Sequence, residues 1–297
     1  MAKTELSTQT VIREHEASGK YVTVDGIRTF ALNYGRGEAV LCVHGVPTSS
    51  FLYRKVLTSL AKKGYRGVSV DLPGLGLTDR PKDFDYSFSN FADFLYRASV
   101  ALKLKKFHLV VHDIGGPIGF ALAARHPHKI MSLTILNSWI DVVNFKKPAV
   151  MRPFEKKILG EAELKMISHV TWPVMFKGMG VVKTSRIPME EINAYVDLLK
   201  GKDEGRAFLK IMRNFDHSPQ FRELCLKAVK NVKYPVQAIW GEKDPALTVD
   251  TFGKEIQEAA GLKEIVKLPS RHLLQEEVWL AIADQIVEQA KSAHLKA

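Results

Sequence analysis

Val110-Val111-His112-Asp113-Ile114-Gly115-Gly116-Pro117-Ile118-Gly119-Phe120 decides how this chain folds. The apolar run Phe107 to Val111 stops at His112-Asp113. Two glycines follow, and then an apolar-periodic stretch that ends at Arg125-His126-Pro127. This pattern predicts a buried strand, a very tight turn and a helix, with Asp113 at the tip. Such a strand–turn–helix elbow presents a reactive side chain, and small neighbours let strand and helix approach. Asp at a helix start is also a good N-cap. Glycines in the first turn are costly there unless close packing requires them, which favours the reactive reading.

Working outward, apolar runs alternate with helical periodicity. Tyr21–Val24 and Ile27–Asn33 are β-rich and joined at Asp25-Gly26, a hairpin signal. Ala39–Val43 is continuously apolar, as a central parallel strand should be. It ends at His44-Gly45-Val46-Pro47-Thr48-Ser49-Ser50, before a helix from about Phe51 to Lys63 that Gly64 stops. The strand Arg66–Val70 leads into the Gly/Pro-rich loop 71–81, and a helix follows over Phe88–Leu102. Ile130–Leu136 is the strand after the elbow. From 140 to 232 the pattern is helical without clear strands (154–159, 161–169, 189–199 and 205–215). Strands then resume at Val236–Trp240 and Glu264–Leu268, with helices at Thr248–Ala260 and Val278–Lys291. The succession predicts an α/β fold: a mostly parallel eight-stranded sheet flanked by helices. The expected organisation is a core of 1–139 and 233–297, with a helical cap of 140–232 inserted after the sixth strand.

In a parallel sheet, chemistry gathers where strands end. Four strands here end in His44, Asp113, Asp244 and His272. Nucleophile, acid and histidine in that chain order make a catalytic triad of Asp113, Asp244 and His272. Each has a blander use: Asp244 before Pro245 suits a turn, and His272 could face solvent. Asp250 and Glu242 are rival acids but suit a helix or an exposed loop better. His44 and His112 read as structural hydrogen-bonders, and Asp71 and Asp79 as carboxylates that fix a loop.

The net charge of +11 raises nucleic acid as a partner. The lysines, however, are scattered among acidic residues, with no zinc spacing and no aromatic RNA-binding signature. No apolar run is long enough to span a membrane, and Met1 to Lys20 lacks the features of a signal peptide. Cys42 and Cys225 are the only cysteines, and Cys42 falls in an apolar strand, so buried thiols and a cytoplasmic location are expected.

From about Tyr21 to Ala290 the chain resembles the α/β-hydrolase superfamily, and within it the aspartate-nucleophile branch of haloalkane dehalogenases and epoxide hydrolases. His44-Gly45-Val46-Pro47-Thr48-Ser49-Ser50 is similar to their oxyanion loop. Asp71-Leu72-Pro73-Gly74-Leu75-Gly76 is similar to the loop after their next strand, and His112-Asp113-Ile114-Gly115-Gly116 to their elbow. Arg271-His272-Leu273-Leu274-Gln275-Glu276 resembles the dehalogenase histidine motif. The resemblance implies an Asp113 nucleophile and an oxyanion hole of the Val46 and Ile114 backbone N–H groups. The chemistry this implies needs neither metal nor cofactor; the apolar side chains at Ile114 and Val46 point to a small apolar organic substrate, with water as the other partner and neither nucleic acid nor membrane expected. The expected state is a monomer or weak homodimer.

Two positions depart from the pattern. Dehalogenases usually hold the leaving halide with a Trp after the nucleophile and with an Asn in the oxyanion loop or a cap Trp. Here the first two places are Ile114 and Val46, which cannot donate. Trp139 or Trp172 could supply an indole or simply pack. Tyr195, on a helix seen in both families, is the candidate acid toward an epoxide oxygen, but 208–214 contains no second Tyr. Val111, two before the nucleophile, is more dehalogenase-like. The residues therefore lead to a haloalkane dehalogenase-like hydrolase, with an epoxide hydrolase next. A small-ligand binding protein or a cofactor-free lyase on the same fold is a competing use.

Overall fold

The apolar run at the elbow lies at the centre of an eight-stranded sheet. The computed structural model describes residues 6–295. The strands are β1 (Gly19–Val24), β2 (Ile27–Tyr34), β3 (Ala39–Val43), β4 (Arg66–Val70), β5 (Phe107–His112), β6 (Ile130–Leu136), β7 (Val236–Gly241) and β8 (Val266–Leu268). Their order is β1-β2-β4-β3-β5-β6-β7-β8. β2 pairs antiparallel with β1 and β4, and every other pairing is parallel. The predicted α/β-hydrolase sheet is therefore the observed one. The Asp25-Gly26 hairpin also forms, with both residues at positive φ, as its turn demands.

The helices are α1 (Thr8–Ala17), α2 (Arg54–Lys62), α3 (Phe88–Ala101), α4 (Gly115–Arg125), α5 (Leu159–Met166), α6 (Trp172–Met175), α7 (Met189–Lys200), α8 (Arg206–Met212), α9 (Pro219–Lys227), α10 (Lys254–Ala260), α11 (Leu274–Glu277) and α12 (Trp279–Leu295). Alternate residues of the central strands serve opposite faces. Leu41, Val43, Leu109 and Val111 join one buried cluster with Phe91 and Phe94 of α3 and Ile118 of α4. Val40, Cys42 and Val110 join another with Val56 and Leu57 of α2 and Ile282 and Ile286 of α12. Burial on both faces explains why β3 and β5 are apolar throughout instead of alternating. Cys42 and Cys225 are buried free thiols.

Helix α1 is not marked by the sequence pattern. Ser7 caps it by accepting from the Thr10 N–H, and Val11 and His15 are its buried residues. Two buried positions on a polar helix leave too weak a periodicity to read. Between β6 and β7 the chain has helical turns and no strand, as the pattern indicated. Boundaries shift: the turn expected over 154–159 lies at Ala149–Glu155, and α8 ends at Met212. Helix α9 packs on α4, where the Cys225 thiol meets the Pro117 carbonyl oxygen at 3.9 Å.

Candidate active site

Asp113 sits where β5 turns into α4, and its φ is +54°. A non-glycine residue in that region is held there by its surroundings. Its N–H donates to the Asn137 carbonyl at 3.1 Å, and its own carbonyl accepts from the Gly116 N–H at 2.9 Å and the Ser138 hydroxyl at 2.8 Å. Space at the elbow is tight. A Cβ on Gly45 would stand 2.3 Å from that of Asp113, and one on Gly116 would stand 1.7 Å from the Ser138 hydroxyl oxygen. Gly45 in the loop and Gly116 in the first turn of α4, where glycine is costly for a helix, thus let three strand ends meet.

The carboxylate Oδ1 of Asp113 accepts the Val46 N–H at 2.9 Å. The other oxygen, Oδ2, faces His272 Nε2 at 3.6 Å. On the far side of the ring, Nδ1 donates to Asp244 Oδ2 at 2.7 Å. Asp244 is buried and fully engaged. Its Oδ1 accepts the N–H groups of Ala246 at 2.8 Å and Leu247 at 3.0 Å, and Oδ2 also accepts from the Asn137 amide at 2.6 Å. The structure therefore brings Asp113, His272 and Asp244 into one chain of contacts, and neither Asp250 nor Glu242 has a place in it.

Burial opposes charge on both partners, but the pairing prevails. Asp244 is held below the usual carboxylate pKa by His272, in spite of its desolvation. His272 is disfavoured as a cation by burial, yet Asp244 and Asp113 lift its pKa from 6.5 to about 10. The ring is thus an imidazolium at neutral pH, paired with the Asp244 carboxylate.

His112 and His44 hold the frame. His112 Nε2 donates to the His272 carbonyl at 2.9 Å, tying the histidine loop to the elbow strand. Burial and the neighbouring His272 lower the His112 pKa to about 3, so it remains neutral. His44 accepts the Leu72 N–H at 3.1 Å. Asp71 accepts from the Ser50 and Leu77 N–H groups, each at 2.7 Å, and fixes the loop 71–81. Asp79 accepts the Arg28 N–H at 3.2 Å.

Asp113 and His272 open on a cavity of ≈ 90 Å³. Val46, Ile114, Trp139, Phe145, Trp172, Met175, Phe176, Met212, Phe215 and Leu247 make most of its wall, and Lys147 also lines it. Trp139 stacks on Phe145, with ring centroids 3.8 Å apart and planes at 7°. The indole N–H of Trp172 is buried without a partner among the described residues. Tyr195 does not line this cavity. Its hydroxyl donates to Glu276 at 2.5 Å, drawn toward a carboxylate that also binds Arg54 and Lys55. The expectation that Tyr195 faces substrate is therefore corrected.

Asn137, Lys147 and Glu276 were not singled out by the pattern. Asn137 closes β6, bridging Asp244 and the Gly241 N–H, which it accepts at 2.8 Å. A polar residue ending a buried strand beside the elbow was the available signal. Among the described residues, no three His, Cys, Asp or Glu side chains cluster as metal ligands. No described helix is long and apolar enough to cross a membrane.

Residues 38–277 match the family described as alpha/beta hydrolase fold. A haloalkane dehalogenase of Mycobacterium marinum is 26% identical over 262 residues, covering 84% of each chain. A cis-3-alkyl-4-alkyloxetan-2-one decarboxylase of Shewanella oneidensis is 40% identical over 121 residues, which span 40% of this chain and only 38% of that protein. Among solved structures, a haloalkane dehalogenase from Bradyrhizobium elkani superposes with a TM-score of 0.79 at 24% identity, covering 94% of this chain and 99% of that one. An epoxide hydrolase from Vigna radiata does so with a TM-score of 0.75 at 22% identity, covering 92% and 97%. The chain is a hydrolase of the alpha/beta hydrolase fold family, similar in sequence to haloalkane dehalogenases and in fold to an epoxide hydrolase.

Proposed function

We propose that Asp113 is a nucleophile that displaces a leaving group from a saturated carbon of a small apolar substrate, in the manner of a haloalkane dehalogenase. The observation that carries this reading is the setting of the Asp113 carboxylate. One oxygen is held by the Val46 N–H, the other faces His272 at 3.6 Å, and Asp113 and His272 both line an apolar cavity. An ionised carboxylate attacks the carbon and becomes an ester. A serine in this place would attack ester carbonyls instead.

Ester formation changes the electrostatics of His272. Asp113 helps to raise the His272 pKa only while it is a carboxylate. Once it is alkylated, that contribution disappears. The imidazolium then loses its proton more readily and can take one from water. The water attacks the ester carbonyl carbon. Its oxyanion is stabilised by the backbone N–H groups of Val46 and Ile114, whose side chains are not needed for this. Asp244, held by Asn137 and two backbone N–H groups, orients the ring. The insert 140–232 acts as a cap that supplies most of the apolar wall, while its last helix, α9, is anchored on α4. Neither metal nor organic cofactor takes part in this sequence of steps, and the site of action is cytoplasmic.

A panel of short bromoalkanes and epoxides, with paired halide and diol assays and Asp113→Asn as the blank, tests the reading. Bromide release supports the dehalogenase form, and diol alone would move the assignment to epoxide hydrolase. In His272→Gln the ester should accumulate as a mass increment on the intact protein. No increment with any member of the panel would sink the proposal.

The partial match to an oxetan-2-one decarboxylase favours one second reading, a cofactor-free lyase. Attack by Asp113 at the ring carbon would expel a carboxylate. Loss of CO₂ would then form an alkene and release Asp113 without water. A β-lactone that yields alkene and CO₂, with no need of His272, would establish that use.

A further inference from the structure

We propose that the Lys147 ammonium is the hydrogen-bond donor that receives the leaving group in this site. The inference rests on the nucleophilic role of Asp113. It supplies a charged donor in addition to the indole N–H of Trp172, which has no partner among the described residues and whose residue also lines the cavity. Displacement at saturated carbon expels an anion, and an apolar cavity without a donor would oppose its departure. The side chains at the two positions nearest the nucleophile, Ile114 and Val46, are hydrocarbon. Apart from Asp113 and His272, the charged residue that lines the cavity is Lys147.

Lys147 is 6% exposed, and its ammonium is held in place. It lies 3.8 Å from the centroid of Phe215, a wall residue, and donates to Glu155 at 2.7 Å. Glu155 is the more exposed partner, with its side chain 38% accessible. An ammonium has three N–H donors. Glu155 accounts for one, and no other hydrogen bond from Nζ occurs among the described residues. Burial lowers the ammonium's pKa from its ordinary value, with Glu155 opposing, so its proton is easier to give than that of a surface lysine.

With an alkyl halide, the bond from Asp113 Oδ to carbon forms as the carbon–halogen bond breaks. The halide leaves with the bonding pair and accepts an N–H of Lys147. With an epoxide, the ring oxygen keeps the pair, remains on the neighbouring carbon and takes a proton from Nζ. Solvent then restores that proton.

The competing explanation is structural: the Lys147–Glu155 pair closes the loop that opens the cap. Two variants separate the roles. Lys147→Met fills similar volume without charge and leaves Glu155 solvated. Glu155→Gln breaks the same ion pair but keeps the ammonium. Both are built into His272→Gln, and single-turnover ester formation with 1-bromobutane, 1-chlorobutane and 1,2-epoxybutane is followed by intact mass. Thermal unfolding checks that each protein is folded, with Lys147→Arg as a charge-retaining second variant.

The expected result is a loss of about 10²-fold in alkylation rate in Lys147→Met, the scale of removing one donor to a developing anion. The loss should be larger for chloride than for bromide, with Lys147→Arg in between and Glu155→Gln within about threefold of the parent. Equal rates in Lys147→Met and the parent, or equal losses in Lys147→Met and Glu155→Gln, would overturn the role of Lys147 and leave the nucleophile standing. No ester in any of the proteins would overturn both.

Discussion

Two buried carboxylate clusters lie close together on the chain, at His272 and at Glu276, and they are built to opposite ends. In the first, Asp244 is saturated by His272, Asn137 and two backbone N–H groups, while Asp113 lines the cavity and stands 3.6 Å from the ring. In the second, Glu276 is completely buried, and Arg54, Lys55 and Tyr195 occupy both of its oxygens. Burial opposes its ionisation, but Arg54 and Lys55 hold its pKa below the ordinary glutamate value. The second cluster joins α2, α7 and α11, and so ties the helical stretch between β6 and β7 to helices on either side of it in the chain. One cluster leaves chemistry available and the other uses all of it for cohesion. A buried charge is therefore functional by what it leaves unpaired, not by being buried.

The sharpest way to break this contrast is to neutralise one carboxylate in each cluster. Asp113→Asn should abolish turnover, by at least about 10⁴-fold, the scale for losing a nucleophile, without lowering the unfolding temperature. Turnover assays and thermal scans on the same protein check both halves. Glu276→Gln should do the reverse. It leaves Arg54 and Lys55 with Glu191 as their one remaining carboxylate, at up to about 3–5 kcal/mol of stability by the measure of broken buried pairs, and urea unfolding reads this. Activity measured well below the midpoint should survive, and if it vanished in fully folded protein the two clusters would not be separable.

A pH series sharpens the comparison further. The His272 pKa is raised from 6.5 to about 10 in the folded protein. A raised histidine contributes stability that is fully present below the unfolded pKa and is lost as pH climbs through the folded one. Wild-type stability should thus decline between about pH 6.5 and 10, and His272→Gln should flatten that decline. Parallel curves would show that the ring does not carry the charge ascribed to it. The smallest effect is expected from Tyr195→Phe. One hydrogen bond to a buried charged group is lost, about 1–3 kcal/mol, with kcat on an epoxide or haloalkane unchanged. A collapse of kcat on epoxides alone would return Tyr195 to the acid role that the sequence suggested.

What could be read from the sequence follows the range of the interactions. The elbow, the Asp25-Gly26 hairpin and the apolar strands are local patterns, and they formed where the residues said they would. Asp113, Asp244 and His272 are far apart in sequence. They could still be grouped because each closes a strand, and parallel strands carry their ends to one edge. Tyr195 was misplaced for the same reason that others were found. Its helix was read correctly, but which partner its hydroxyl meets depends on Glu276, 81 residues away. Lys147 carried no local signal at all, because a lysine in a polar loop looks solvated until the fold lays it over the Phe215 ring. Helix α1 escaped because its few buried contacts are made against the rest of the fold, including α7.

The central claim is that Asp113 carries the substrate as an ester that water cleaves at the carboxyl carbon. A single turnover in H₂¹⁸O, followed by proteolysis and mass measurement of the peptide containing Asp113, tests it directly. One ¹⁸O in the Asp113 carboxylate, with unlabelled oxygen in the alcohol product, is the predicted result. Label in the product with none in Asp113 would contradict the account, since water would then have attacked the substrate itself.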